Sequence, residues 1–109
     1  MKKQKTSATK IEALEITSFR LVAGLTGADF VKANEDINAY LRRQPGFRWR
    51  RITQDADGTI TDIVAWESAA HGERSAAGIM TEMADSPVHA TIDHRTVDFR
   101  IAPVLQQVD

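Results

Sequence analysis

Six side chains carry the chemistry that this chain offers most plainly: Asp62, His94, Tyr40, Trp66, Met80 and Met83. Asp62 and Trp66 fall at alternate positions of the run ITDIVAW, residues 60–66, and therefore share one face of a strand. A carboxylate among apolar neighbours either finds a cation or holds its proton, and a held proton can serve acid–base work. Arg50 and Arg100 are the candidate cations, and the ion pair is the blander reading of Asp62. Trp66 brings a large apolar surface and one indole donor, so it reads either as the wall of a ligand cavity or as a core anchor. An imidazole at His94 could take a proton from a phenol or quinol, or could sit at a dimer contact. Tyr40 could hydrogen-bond a ligand or close off the core, and Met80 and Met83 could flank a flexible apolar pocket or fill ordinary core space. His71 and His89 read as surface or loop residues. The three histidines have no compact metal-ligand spacing, and no metal or other cofactor is expected.

The elements that must position these groups follow from periodicity. Residues 12–24 are rich in Ile, Leu, Phe and Val and read as a strand, best supported over 16–24, with Leu14, Ile16, Phe19, Leu21 and Ala23 inward. The step from Ile16 to Phe19 breaks strict alternation and predicts a bulge or a late start. Thr26 is placed to cap a helix with Asp29 at its positive end, and Phe30, Ala33, Ile37, Tyr40 and Leu41 recur at helical spacing. Pro45 ends that helix and Gly46 turns the chain. Asp57-Gly58 predicts a hairpin between strands at 47–54 and 59–66. On the first of these, Arg48 and Arg50 are expected on one face, with Phe47, Trp49 and Arg51 on the other. Ser68 opens a second helix with an apolar stripe of Ala69, Ala76, Met80 and Met83, interrupted by Gly72 and Gly78. A last strand covers residues 90–102.

The order strand, helix, strand, strand, helix, strand, with right-handed crossovers, predicts a ferredoxin-like α+β domain. Its four-stranded antiparallel sheet is covered by two main helices on one side. Several strands are apolar on both faces, which predicts that the second face is buried in a homodimer.

The totals narrow the function classes. A chain of 109 residues fits one domain, here residues 12–104, between a flexible arm at 1–11 and a tail at 105–109. Net charge is −1, with 14 basic and 15 acidic residues, so no global cationic field draws a phosphate backbone. The local cluster RQPGFRWRRI does not by itself make a nucleic-acid site, and nucleic acid is not expected as a partner. There is no cysteine, which excludes disulfides, thiolate catalysis and thiolate metal sites. No apolar leader follows the basic start, and no apolar run reaches membrane-spanning length; a cytoplasmic protein without a membrane partner is expected. No glycine-rich phosphate loop is present.

The stretch QPGF at 44–47 followed by DGTITDIVAWES at 57–68 resembles the antibiotic-biosynthesis-monooxygenase-like group of dimeric α/β-barrel proteins, over about residues 16–101. Pro45-Gly46-Phe47 and Trp66-Glu67-Ser68 carry the match. The resemblance implies two sheets meeting across a dimer and a ligand cavity between each sheet and its helices. It also implies a cofactor-independent oxygenase acting on a small aromatic or quinol with molecular oxygen. Asp62 or His94 would be the base, and Tyr40 and Trp66 would orient the ring. The other reading is a non-catalytic dimeric small-ligand-binding or stress-associated protein. Oxygenases of the group commonly place an Asn on the first strand; residues 11–25 contain none, and Asn34 and Asn38 fall in the first helical region. Haem-degrading members carry a His in the second helical region, where His71 stands near the helix start.

Overall fold

The computed structural model describes residues 11–109; the arm expected at 1–11 lies almost wholly outside the described residues. The chain runs β1 (Ala13–Leu21), α1 (Gly27–Ala33), α2 (Glu35–Arg42), β2 (Phe47–Gln54), β3 (Ile60–Trp66), α3 (Ala69–Thr81), a 3-10 turn (Pro87–Thr91) and β4 (Ile92–Pro103). The sheet order is β2-β3-β1-β4, and every neighbouring pair is antiparallel. Strands joined through helices therefore run parallel with one strand between them, which is the ferredoxin-like arrangement that the element order predicts.

The first helical region is two helices, where periodicity alone predicts one. Thr26 and Asp29 form a reciprocal capping box at the start of α1. Asn34 then interrupts the ladder, because its side-chain amide donates to the carbonyls of Phe30 at 3.2 Å and Val31 at 2.7 Å. Asn competes with the backbone in this way wherever a local carbonyl is within reach. α2 restarts at Glu35 and presents Ile37, Tyr40 and Leu41 to the core.

The phase of β1 differs from the expected one. Ala13, Glu15 and Phe19 are buried under the helices, while Leu14 and Ile16 lie on the other sheet face, opposite Ala65 and Ile63. Odd-numbered residues face the helices throughout, so the strand itself needs no bulge between Ile16 and Phe19. The irregularities lie in its neighbours. In β2, Phe47 pairs with Trp66 and Trp49 with Ala65, which makes Arg48 an extra residue. That bulge puts Phe47 and Arg50 on the helix-covered face together and leaves Trp49 on the open face, with Arg51 stacked over its ring at 5.0 Å. In β4, the register jumps from Ser18↔Asp98 to Arg20↔Asp93, so residues 94–97 swing out of the ladder.

The stripe on α3 is likewise rotated from the expected one: Gly72 and Ser75 are buried, Ile79 and Met83 pack against the core, and Met80 is 63% exposed. The two glycines are points of close approach. A Cβ at Gly72 would come within 2.9 Å of the Trp66 ring, and one at Gly78 would overlap the Tyr40 hydroxyl. The helix can lie against these two large side chains because nothing projects there.

Gly46 closes the turn after α2 with φ +83°, and a Cβ there would meet the His71 ring at 2.5 Å. Both the left-handed backbone and the contact disfavour any side chain. Gly46→Ala is therefore expected to cost about 1–3 kcal/mol of stability, measured by urea unfolding against the parent chain.

Candidate functional site

Between the helix-covered face of the sheet and the helices lies a cavity of about 570 Å³. Its walls are mostly apolar, from Phe19, Phe30, Ile37, Ile79, Val88 and Phe99, and its polar groups are Glu15, Thr17, Arg50, Asp62, His89 and His94. The register explains the grouping. Thr17 lies opposite Asp62 on one side and Phe99 on the other, and Glu15 lies opposite Val64 and Ile101.

Arg50 is the most heavily engaged group. Its Nε and Nη2 donate to the two carboxylate oxygens of Asp62 at 3.0 and 2.7 Å. Its Nη1 donates to the amide oxygens of Asn34 and Asn38, at 2.5 and 2.7 Å. The guanidinium side chain is only 9% exposed and its carboxylate partner 16%. A buried ion pair of this kind is tolerated because the fork geometry is bidentate and two side-chain amides take up both Nη1 hydrogens.

Glu15 has no such cation. It is 8% exposed, and its Oε1 accepts from the Trp66 indole at 2.8 Å. Burial pushes its carboxyl up to about 7 from 4.5; the indole bond and Arg50 pull the other way, and Asp62 pushes in the same direction as burial. Burial wins because both cross-strand neighbours, Val64 and Ile101, are aliphatic.

The residues singled out in the sequence divide into two groups. Asp62, His94 and Met80 line the cavity. Asp62 has both oxygens on Arg50. The outward swing of β4 carries His94 to the rim, where its Nε2 donates to the His89 carbonyl at 2.9 Å. Its ring stacks on that of His89 with centroids 6.3 Å apart. Met80 is an exposed rim residue. Trp66, Tyr40 and Met83 do not line the cavity. Trp66 is fully buried between Phe47, whose ring meets it edge-on, and the backbone of α3 at Gly72, so it reaches the cavity only through Glu15. Tyr40 points into the seam between α2 and α3, where its hydroxyl donates to the Ser75 carbonyl at 2.9 Å. Met83 packs against the core, and its carbonyl accepts from His89 Nε2 at 3.0 Å. His71 bonds Ser68 through Nδ1 at 2.7 Å, away from the cavity.

Glu15 is the residue that periodicity missed. Counting back by twos from Phe19 and Leu21 gives Thr17, Glu15 and Ala13; counting from Leu14 and Ile16 puts Glu15 outside. Both phases contain apolar residues, so alternation alone does not choose between them.

The fold sets the chain beside oxygenase structures. SnoaB, a cofactor-independent oxygenase from Streptomyces nogalater, superposes with a TM-score of 0.70 at 18% identity, covering 90% of this chain and 97% of that one. The monooxygenase from the gene ActVA-Orf6 of Streptomyces coelicolor, solved with nanaomycin D, gives 0.69 at 15% identity, covering 90% and 91%. A conserved protein from Methanosarcina mazei Go1 gives 0.65 at 7% identity, covering 85% and 92%. No protein-family model and no curated protein matches the sequence. The chain thus has the ferredoxin-like fold of the antibiotic-biosynthesis-monooxygenase structures, as its QPGF and AWES motifs imply.

The Glu15 carboxyl makes stability depend on pH. The unfolded chain releases this proton near 4.5, while the folded chain holds it to about 7. The folded state therefore binds more protons across that window, and this contribution to stability is lost as pH rises through it. The loss is about 3 kcal/mol. Glu15→Gln is expected to remove it, so that the difference in urea midpoint between parent and variant grows from pH ~5 to ~7 in the variant's favour and then levels off.

Proposed function

We propose that this chain is a cofactor-independent monooxygenase that oxidises a small hydroxylated aromatic with molecular oxygen, working as a homodimer. The observation that carries the reading is the cavity: about 570 Å³, apolar along its walls, with Glu15, Asp62 and Arg50 gathered on the β1, β3 and β2 strands and His89 and His94 toward β4. That size and make-up suit an aromatic ring system held by dispersion and oriented by a few polar contacts. The likeness in fold to SnoaB and to the ActVA-Orf6 enzyme supports the reaction class.

The reaction needs only a proton acceptor, a shielded site and oxygen. Loss of the hydroxyl proton leaves an electron-rich phenolate. Its ring carbon bonds to oxygen and, after protonation, yields a hydroperoxide. Removal of the ring proton then breaks the O–O bond. One oxygen stays as the new carbonyl of a quinone, and the other leaves as water. The substrate supplies all four electrons that reduce oxygen. The apolar walls limit the water that reaches the intermediates.

The dimer reading rests on the open sheet face. There Leu14, Ile16, Ile63 and Trp49 sit side by side across β1, β3 and β2, and Ala65 is already fully covered. A second copy packed on this surface would bury apolar side chains that helices do not reach and build the two-sheet barrel. Sedimentation of the full chain is expected to give a dimer at micromolar concentration; a monomer sinks this part of the reading.

The activity is tested by oxygen uptake with a panel of naphthols and hydroquinones in metal-chelated buffer. Uptake above the uncatalysed rate, with one equivalent of quinone formed per oxygen consumed, is expected. Saturable binding with no uptake across the panel would point instead to a binding protein.

A further inference from the structure

We propose that Glu15 is the group that receives the hydroxyl proton of a phenolic ligand in this cavity, and that Trp66 is the positioning residue that aims it. The first part rests on the cavity's taking a hydroxylated aromatic; neither part requires that the ligand be oxidised.

The case is one of hydrogen bonding and burial. Four side chains of the cavity wall can accept a proton: Glu15, Asp62, His89 and His94. Both oxygens of Asp62 accept from Arg50, and that guanidinium is itself fixed by Asn34 and Asn38. Taking a proton there would break a buried bidentate pair. His94 and His89 each face a backbone carbonyl through Nε2, that of His89 for the first and of Met83 for the second. A carbonyl only accepts, so both Nε2 atoms carry hydrogen and Nδ1 is each ring's remaining acceptor; His94 is exposed and His89 half-buried, so a proton taken by either ring is taken closer to water than at Glu15. Glu15 differs from all three. Its Oε1 is held by the Trp66 indole, and among the described residues no hydrogen bond is donated to Oε2. A carboxylate oxygen of a largely buried side chain, open to an apolar cavity and with no donor of its own, is satisfied by a ligand that brings one.

The surroundings favour a neutral donor. Arg50 from β2 and Asp62 from β3 cancel each other, Tyr40 from α2 spends its hydroxyl on the Ser75 carbonyl, and α3 contributes only Ala76, Ala77, Ile79 and Met80 to the wall. No free cation remains among these groups to compensate a second negative charge beside Glu15. A phenol therefore enters with its hydroxyl proton. The O–H bond breaks toward Oε2, the electron pair stays on the phenolate oxygen, and Glu15 becomes the neutral acid. When oxidation follows, the same acid can return the proton to the peroxide, take the ring proton as the O–O bond breaks, and pass it to the departing hydroxide as water. Burial that brings the carboxyl close to neutrality matches it to both directions of transfer. Trp66 cannot touch the ligand, since it is fully enclosed; its indole fixes which Glu15 oxygen is free.

Anaerobic calorimetry on the full chain tests this with 1-naphthol and its methyl ether, 1-methoxynaphthalene. Naphthol affinity is expected to rise about tenfold from pH ~6 to ~8, with a midpoint near 7. The ether, which has no hydroxyl hydrogen, should show no rise. Glu15→Gln should bind both compounds with flat pH profiles, and Trp66→Phe should move the naphthol midpoint upward because the indole bond that favours the carboxylate is gone. Circular dichroism and urea unfolding establish that each variant is folded. A flat profile for the parent chain, an unchanged rise in Glu15→Gln, or no saturable naphthol binding by the parent overturns the assignment. Oxygen uptake separates it from the oxidation reading. Where the parent turns over, Glu15→Gln should lose at least about 100-fold. A parent with the expected binding profile but no uptake keeps Glu15 as proton acceptor and removes the oxygenase. A parent that consumes oxygen with a flat naphthol profile does the reverse.

Discussion

The rest of the structure is arranged around one buried cation. Arg50 stands on the middle of β2, faces Val64, and reaches diagonally to Asp62 on β3. On its far side it meets Asn34, at the break between α1 and α2, and Asn38 one turn further on. A guanidinium with 9% exposure needs acceptors for most of its donors, so the sheet and both helical segments take the relation that brings the side chains of Asp62, Asn34 and Asn38 to it. The break at Asn34 belongs to the same constraint. Its amide hydrogens stop α1 while its oxygen serves Arg50, so a single side chain both ends a helix and docks it.

This clamp also decides the character of the cavity. By taking up Asp62 completely it removes the more obvious carboxylate and leaves Glu15, on the neighbouring strand, without a cation. The two acids are close enough to influence each other, yet their environments differ: fork-bonded in one case, flanked by aliphatic side chains in the other. Environments of that kind give two carboxylates different roles. The far end of the sheet is a purely structural junction. Trp66, Phe47 and Gly72 pack there with so little spare volume that the indole has one outlet for its N–H, the Glu15 carboxylate.

How much of this was legible in the sequence depended on the kind of signal. Turn and cap chemistry was clear. Thr26 with Asp29, Pro45-Gly46 and Asp57-Gly58 stand where the structure uses them, and they set the order of elements and hence the fold. The common face of Asp62 and Trp66 was also readable, because β3 has regular pairing along its whole length. Sidedness failed elsewhere for a definite reason. Strands with apolar residues on both faces carry no unique alternation, so the expected inward set takes Leu14 and Ile16 and passes over Glu15. In β2 the extra residue lies between Phe47 and Arg50, and simple alternation separates two side chains that in fact lie together. Gly72 and Gly78 looked like weak points of α3, since a helix signal says nothing about what the helix must lie against. The roles of Tyr40 and Trp66 depended on those contacts and were not readable without them.

The bulge at Arg48 has a bearing on how this strand can evolve. Phe47, Trp49 and Arg50 pair with the consecutive residues Trp66, Ala65 and Val64, so Arg48 is the one position whose presence leaves the faces of its neighbours unchanged. Substitution at Arg48 itself is a surface event, for its guanidinium is 43% exposed and only loosely paired with Glu12. Deletion there would close the bulge into an ordinary ladder and leave Phe47 and Arg50 together on the helix-covered face. Neither length nor identity at this one position is tied to the clamp, whereas one residue lost between Arg50 and the hairpin would turn the following side chains over. Distant members of the fold can accordingly keep or omit this residue without moving the arginine two positions on.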